Sequence, residues 1–249
     1  MSGPDSTAVT RGDDPLDRDI QRLRDDVVTC TKLLVFADIL DYSGHVSARI
    51  PGTELALVLR REASRSGLSV EDLLVVDFDG EVVEGAGNPV AEAAIHTGVY
   101  RNRPEVGFVC HGHPSLSTTF SMTDRQLLPV RHFAYKFPHG LRVHPDPTHI
   151  RTKEQGDAVA ATLGSAGACL LRSHGTVVVG DRIDVLFMDC LDIEENARTL
   201  LNATQLGGTV QPLTPSELAD VEASYAKGGH RPGKVWEHYQ FKGRQAGIL

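Results

Sequence analysis

The chain has 249 residues, of which 41% are hydrophobic and 23% charged, a composition typical of a soluble globular protein with enough chain for a substantial core. The formal net charge of −8, with no basic cluster against it, argues against nucleic acid as a partner. No apolar run approaches the roughly 18 residues that a membrane span requires, so we expect no membrane partner either.

The N-terminal residues and the cysteines indicate the compartment. Residues 1–19 are polar and acidic without an apolar core segment, which argues against a secretory signal. We interpret 1–15 as a disordered lead-in and 16–249 as one domain. The four cysteines lie in apolar segments and form no Cys-x-x-Cys pair, which predicts buried free thiols in a reducing cytoplasm.

The first half of the chain predicts one long helix followed by antiparallel hairpins. Apolar positions recur at helical spacing until a stretch ending at Gly44 stops the helix. The Asp79-Gly80 pair is the strongest short hairpin signal in the chain. The predicted elements are a helix over 16–41, strands over 45–50, 55–59, 73–78 and 81–84, and a helix over 90–102.

The second half contains a predicted buried central strand over 106–110, and Pro114 suits the first turn of a helix after it. Residues 122–150 show little periodicity, so we predict one strand near 129–133 and otherwise loop. The tail 231–239 has no regular period. Further helices are predicted over 115–121, 152–163, 183–206 and 215–225, and strands over 168–173 and 176–180. The hairpins predict an α/β domain with a mostly antiparallel central β-sheet flanked by helices.

Two histidines lie at the end of the central strand, His111 and His113. Residues i and i+2 of a strand point to the same side, so both imidazoles can face one point, whereas Cys110 points away and is excluded as a ligand. His174 follows another strand, and Glu92 begins a helix. Three imidazoles and a carboxylate are a normal ligand set for a divalent first-row metal. The alternatives are buried structural histidines and, for Glu92, a carboxylate favoured by the helix dipole.

Four motifs occur in an order and spacing that resemble one family. They are Gly-His-Val-Ser-Ala-Arg at 44–49, Glu-Ala-Ala-Ile-His at 92–96, Arg-Pro-Glu-Val at 103–106 leading to His-Gly-His-Pro at 111–114, and Ser-His-Gly at 173–175. Over roughly residues 20–205 the chain is similar to the class II aldolase/adducin family, of the metal-dependent fuculose-phosphate-aldolase type. The resemblance implies a three-layer αβα fold and a homotetramer with active sites at subunit interfaces, which the C-terminal tail helps to close.

The resemblance also implies a divalent metal ion, zinc first, with manganese, iron and cobalt as alternatives. Its ligands would be His111, His113, His174 and Glu92, and Glu92 would also exchange protons during turnover. His96, one helical turn after Glu92, either supports that carboxylate or fills the buried face of the helix; we prefer the second interpretation.

Departures from the aldolases concern the substrate. His45 stands where the aldolases carry Asn, and their phosphate-binding stretches of hydroxyl and glycine residues correspond here to 59–63 and 90–91. Guanidinium groups have appeared in the first of these, and they suit a planar carboxylate, although solvated loop arginines are the alternative. The aldolases also place a proton-donating Tyr after a His, where this chain has His132-Phe133. The residues that we expect to contact substrate are His45, Ser47, Arg60, Arg61 and Tyr135.

Both departures resemble the family's decarboxylases, which act on hydroxylated aromatic or dienoic acids. We therefore predict a metal-dependent carbon–carbon lyase that decarboxylates a small hydroxylated aromatic or 2-oxo carboxylic acid through a metal-stabilised enediolate. Glu92 or His132 would deliver the proton to the carbanion. Three alternatives remain: an aldolase for a sugar or sugar phosphate, an iron-dependent oxidative cleavage enzyme, and a non-catalytic adducin-like interaction module, which the retained histidines argue against.

Overall fold

The computed structural model describes residues 15–249, in which eight strands form one continuous sheet. The strand order is β4-β3-β2-β1-β5-β8-β7-β6, and every neighbouring pair is antiparallel except β6 and β7. The predicted mostly antiparallel sheet is therefore confirmed. The strands are β1 (His45–Ile50), β2 (Leu55–Leu59), β3 (Leu73–Asp77), β4 (Val82–Glu84), β5 (Phe108–Gly112), β6 (Arg142–His144), β7 (Ala168–Leu171) and β8 (Gly175–Gly180).

Helices cover both faces of this sheet. One hydrophobic cluster packs α2 and α4 against one face, and a second packs α1 and α5, with side chains of α7, against the other. The helices are α1 (Pro15–Phe36), α2 (Ala93–Asn102), α3 (Ser115–Phe120), α4 (Lys153–Leu163), α5 (Ile183–Gln205), α6 (Pro215–Gly228) and α7 (Arg231–Gln245), with 3-10 turns at Val70–Asp72 and His132–Lys136. Among the described residues, no helix is both long and apolar enough to span a bilayer.

Strand β5 lies between the two hydrophobic clusters and contributes side chains to both, because successive side chains of a strand point to opposite faces. Val109 packs in the cluster on the α2 and α4 face, whereas Cys110 packs in the opposite cluster. All four cysteines are buried and free, as predicted. The prediction that Cys110 points away from the histidine pair is therefore confirmed.

The first helix ends earlier than predicted. Asp38 adopts a left-handed conformation with φ of 56°, and the Ile39 N–H donates to the Leu34 carbonyl at 2.9 Å while the Asp38 N–H donates to Val35 at 3.1 Å. These two bonds are a Schellman cap, here with Asp instead of the usual Gly. The prediction overshot because the cap contains no glycine. The lead-in predicted over 1–15 lies outside the described residues, except for Pro15.

The predicted strand near 129–133 was wrong, and β6 was missed. The side chain of Asn196 on α5 accepts hydrogen bonds from the backbone N–H groups of Val130 and Arg131 at 3.0 and 3.2 Å and donates to the Leu128 carbonyl at 2.9 Å. A side chain thus satisfies this backbone in place of a strand partner. Strand β6 has only three residues and lies at the sheet edge, so it gives no periodic signal.

The tail that showed no period is in fact the helix α7. Trp236 and Tyr239 pack edge-on against Phe187 of α5, with ring centroids 5.3 and 5.2 Å apart. The sequence signal is weak because the helix is rich in polar residues and contains two glycines, Gly233 and Gly243. Tertiary packing on α5 therefore stabilises a segment whose own propensity is low.

Helices α2 and α4 touch through their backbones. A Cβ added to Gly156 would lie 2.0 Å from the Ala94 carbonyl oxygen, and one added to Gly98 would lie 2.4 Å from the Gly156 carbonyl carbon. Only glycine permits this approach. The contact holds α2 against α4, and Glu92 lies at the N-terminus of α2.

Candidate metal centre

Four side chains from distant parts of the chain meet at one end of the sheet. Glu92, His111, His113 and His174 each offer a ligand atom, and these atoms all lie within 4.8 Å of one another. The structure thus assembles the four residues that the sequence predicts as metal ligands. Glu92 and His111 are buried, while His113 and His174 are partly exposed, so the group opens toward solvent on one side.

Close backbone approach between strands β5 and β8 brings the histidines together. Gly175 follows His174 in the β7–β8 turn, and a Cβ added to it would lie 2.2 Å from the Gly112 carbonyl oxygen. Ser173 occupies the left-handed region with φ of 56°, a conformation that is rare for a residue with a side chain. As a result the His113 and His174 rings lie nearly parallel, with centroids 5.4 Å apart.

Hydrogen bonds fix the orientation of two of the three imidazoles. His111 donates from Nδ1 to the Thr176 carbonyl at 2.9 Å, and His113 donates from Nδ1 to an Asp41 oxygen at 3.1 Å. Each therefore keeps its Nε2 lone pair for another partner, which is the arrangement that metal-ligating histidines adopt. Burial lowers the pKa of His113, which favours the neutral, ligating form.

Three nitrogen atoms of the group are buried without a hydrogen-bond partner: Nε2 of His111 and both Nδ1 and Nε2 of His174. Unpaired buried polar atoms are rare in native proteins and call for an explanation. Neutral imidazole nitrogens beside a carboxylate suit a divalent first-row metal, and one bound ion would supply the missing partner. The residues present therefore fit the predicted metal.

Glu92 is held as an anion at the N-terminus of α2. One oxygen lies 3.3 Å from His111 Nε2 and 3.5 Å from His174 Nε2, and the other accepts the Ile150 N–H at 3.0 Å. Burial raises the pKa of this carboxyl, but the two adjacent histidines and the hydrogen bond from the Ile150 backbone bring the pKa well below its ordinary value. The side chain is therefore a carboxylate, which can ligate a cation.

Residues 25–201 match the family described as the Class II Aldolase and Adducin N-terminal domain. The chain belongs to this family. A solved structure of L-fuculose 1-phosphate aldolase from Glaciozyma antarctica PI12 superposes with a TM-score of 0.80 over 98% of this chain and 95% of that one, at 20% identity. The predicted class II aldolase fold is therefore confirmed.

Curated relatives in the family have diverse activities. The chain is 25% identical over 209 residues to a 3,4-dihydroxyphthalate decarboxylase of Arthrobacter keyseri, covering 78% of this chain and 83% of the relative. It is 32% identical over 178 residues to a 4-hydroxy-3-prenylphenylpyruvate oxygenase/4-hydroxy-3-prenylbenzoate synthase of Streptomyces roseochromogenus subsp. oscitans, covering 70% and 62%. The chain is a class II aldolase superfamily enzyme with a candidate three-histidine, one-glutamate metal site.

Two further residues of this class II aldolase family member, Asp41 and His149, contact the ligand group, and neither was predicted from the sequence. Asp41 orients His113, and its other oxygen accepts the N–H groups of Ser43 and Gly44 at 2.8 and 2.9 Å. The Asp-Tyr-Ser-Gly run at 41–44, which leads into the first motif, is typical of such a turn. His149 Nδ1 lies 3.5 Å from a Glu92 oxygen, and no periodic pattern marked its loop.

His45 and Ser47, both predicted to contact substrate, differ in position. The His45 ring lies beside the His111 ring with centroids 5.2 Å apart. Ser47 is fully buried, and its hydroxyl hydrogen-bonds to His96 and Tyr100, each at 2.6 Å. His45 therefore lies next to the ligand group, whereas Ser47 lies deeper in the protein. His96 bonds to both, so it supports His45, not Glu92.

Arg60 and Arg61 lie in the 59–63 stretch, and this stretch contacts the one at 90–91. The Val90 N–H donates to the Leu59 carbonyl at 3.0 Å, which joins the two segments. The Arg60 guanidinium pairs with Asp72, while Arg61 is exposed and donates from Nε to Pro89 at 3.3 Å. Arg65, which no sequence motif marks, is buried and donates from Nε to the Gly44 carbonyl at 2.8 Å.

His132 and Tyr135 lie in another part of the chain. Both rings stack on Tyr225 of α6, with centroids 5.9 and 5.2 Å away, and neither belongs to the group of four ligands. His132 is exposed in the 3-10 turn between residues 131 and 137. A single chain therefore does not bring its own His132 and Tyr135 into the ligand group.

Proposed function

We propose that the protein is a metal-dependent carbon–carbon lyase that decarboxylates a small hydroxylated aromatic or 2-oxo carboxylic acid. The observation that carries this proposal is the composition of the site. A complete ligand group of Glu92 and three histidines lies beside His45, and the 59–63 stretch carries Arg60 and Arg61 where the phosphate-binding aldolases carry small hydroxyl and glycine residues. The similarity to a 3,4-dihydroxyphthalate decarboxylase supports the same substrate class.

The ligand group fits a divalent ion, zinc first, with manganese, iron or cobalt as alternatives; when bound, such an ion supplies a Lewis acid. Glu92, as a buried anion, accepts the proton of a substrate hydroxyl. The bond to the carboxylate then breaks, carbon dioxide leaves, and its electron pair stays on the substrate carbon. Glu92 returns its proton to that carbon, which regenerates the residue, and the product oxygen takes a proton from solvent to restore the hydroxyl.

Arg61 is the arginine best placed to receive a substrate carboxylate. Arg60 is committed to Asp72, whereas Arg61 is exposed and uses only Nε in a 3.3 Å bond to Pro89, which leaves the two terminal nitrogens for a ligand. A phosphate dianion at the same place would face Val90 and Ala91 in place of hydroxyl donors, and a desolvated phosphate without partners is costly.

A substrate panel tests the proposal. Metal-loaded protein is incubated with hydroxylated aromatic and 2-oxo acids and, in parallel, with fuculose-1-phosphate and ribulose-5-phosphate. We expect carbon dioxide release from one or more acids, with Arg61→Ala raising KM about 10- to 100-fold through the loss of a charge-assisted hydrogen bond. Arg125→Ala, which removes an exposed loop arginine, is the control. Efficient cleavage of either sugar phosphate would overturn the decarboxylase and favour the aldolase.

Oxidative cleavage is the second candidate, because the chain is 32% identical over 178 residues to an oxygenase of the family. Three histidines also suit ferrous iron. Dioxygen consumption by the iron-loaded protein, in proportion to the acid consumed, would favour this candidate. Carbon dioxide release under strict anaerobiosis would favour the decarboxylase.

We also propose a homotetramer with active sites at subunit interfaces. The family resemblance implies this assembly, and it would allow His132 and Tyr135, which lie outside the ligand group of their own chain, to approach the ligand group of a neighbouring chain. The aromatic residues of the tail do not carry this argument, because Trp236 and Tyr239 pack on Phe187 within the chain. Light scattering should give a mass of four 27.0-kDa chains, and a monomeric mass would contradict the proposal.

A further inference from the structure

Four buried polar side chains form a continuous hydrogen-bonded chain that leads from the interior to the ligand group. Tyr100 Oη lies 2.6 Å from Ser47 Oγ, Ser47 Oγ lies 2.6 Å from His96 Nδ1, and His96 Nε2 lies 2.6 Å from His45 Nδ1. None of the four residues is more than 3% exposed. At the outer end, His45 pairs with His111 across β1 and β5.

The donor and the acceptor of each hydrogen bond can be assigned by starting from Tyr100, the innermost residue. Burial raises the pKa of Tyr100, so its hydroxyl stays protonated. Among the described residues, Ser47 Oγ is the one acceptor within hydrogen-bonding distance of that hydroxyl, so Tyr100 donates to Ser47. Within residues 15–249 the Ser47 hydroxyl has one other side-chain partner, His96, so it donates its own proton to His96 Nδ1.

The imidazoles continue the same direction. An imidazole carries at least one ring proton, and the 2.6 Å contact between His96 Nε2 and His45 Nδ1 holds one proton, so one ring donates and the other accepts. Because His96 Nδ1 accepts a hydrogen bond, its proton is on Nε2 and is donated to His45 Nδ1. His45 therefore carries its proton on Nε2, which has no hydrogen-bond partner among residues 18–249.

We propose that His45 is a fixed hydrogen-bond donor to the substrate at the metal centre, and that Tyr100, Ser47 and His96 are positioning residues that keep its proton on Nε2. This inference rests on the proposed function in that the acceptor is an oxygen of the bound hydroxy-acid. A donor beside His111 stabilises negative charge that develops on that oxygen, and it does so without reorganisation because the buried chain holds the ring.

The chain orients His45 and does not conduct a proton outward. Transfer along all three bonds would end in a buried Tyr100 phenolate, which the raised pKa of that hydroxyl opposes. Arg49 lies over the Tyr100 ring, 5.0 Å from its centroid, and donates to backbone carbonyls instead of the phenol oxygen. Each proton of this hydrogen-bonded chain therefore stays on its donor atom, and His45 keeps its proton on Nε2.

Long-range ¹H–¹⁵N correlation spectra of histidine-labelled protein, without metal or substrate, test the tautomer directly. His45→Gln assigns the His45 signals by their loss. We expect wild-type His45 and His96 to carry the proton on Nε2, and Tyr100→Phe to give a mixture of tautomers because Ser47 loses its donor. Tyr42→Phe, which removes an 88% exposed tyrosine hydroxyl, should leave both signals unchanged. A wild-type His45 protonated on Nδ1 would overturn the inference.

Kinetics on the metal-loaded variants test the donor role. We expect Tyr100→Phe to bind metal normally and to lose about tenfold in kcat, the range of one neutral hydrogen bond. His45→Gln, whose amide still donates, should retain more turnover than His45→Ala. A mixture of tautomers in Tyr100→Phe with wild-type kcat, or a lowered kcat with unchanged tautomers, would overturn the inference. If no acid is cleaved while the predicted tautomers are found, the proposed function fails and the positioning chain stands.

Discussion

His174→Ala is expected to lose the bound metal while the chain remains folded. Both ring nitrogens of His174 lack partners among the described residues, so the fold itself does not depend on their hydrogen bonds. Loss of an outer-sphere partner weakens metal binding about 10- to 100-fold, and loss of a direct ligand should exceed that range. Metal per chain is measured by mass spectrometry after purification without chelator, and circular dichroism follows the fold.

Two variants calibrate this result. His139→Ala removes an exposed histidine outside the ligand group and should keep full metal content. Asp41→Asn replaces the carboxylate that orients His113. It should lower the metal affinity by about 10- to 100-fold, the range for loss of an outer-sphere partner. The same losses as for His174→Ala are expected for His111→Ala and His113→Ala. Full occupancy in His174→Ala would contradict the ligand assignment.

Glu92→Gln is expected to retain metal at saturating concentration and to lose turnover by about 10²-fold or more. The amide has nearly the shape of the carboxylate but cannot accept and return a proton, so general acid–base catalysis is removed. Glu154→Gln, at an exposed position in the first turn of α4, is the matched control. Wild-type kcat in metal-saturated Glu92→Gln would reduce Glu92 to a structural carboxylate at the helix terminus.

Local rules were sufficient where the site depends on local geometry. The alternation of a strand placed His111 and His113 on one side and Cys110 on the other, as the structure confirms. The hairpin at Asp79-Gly80 also followed from a short pattern. These features depend on neighbours within a few residues, so one sequence contains the information.

Features that depend on distant partners could not be predicted. The segment at 129–133 is not a strand because Asn196, more than sixty positions later in the chain, takes its backbone N–H groups. The roles of Ser47 and His96 required the knowledge that β1 packs under α2. Their spacing was visible, since His45 and Ser47 share a strand face and His96 and Tyr100 share a helix face, but no local rule says which faces meet.

The ligand group also separates an enzyme from the adducin-like alternative. An interaction module needs the sheet and its helices but has no use for unpaired histidine nitrogens in a buried position. Here Nε2 of His111 and both nitrogens of His174 lack partners within the described part of the chain, at a cost that a purely structural role does not explain. A bound metal accounts for that arrangement.

X-ray absorption spectroscopy of the zinc-loaded wild-type chain tests the metal centre most directly. The ligand group predicts one ion per chain with three imidazoles, and Glu92 as the oxygen donor, at metal–ligand distances of about 2.0–2.2 Å. The outer-shell scattering of imidazole rings counts the histidines, and His174→Ala, which should lose the metal, should not give this signature. A sulfur scatterer at about 2.3 Å would implicate a cysteine such as Cys110. That result, or a spectrum without three imidazoles, would contradict the assignment of Glu92, His111, His113 and His174 as the metal centre.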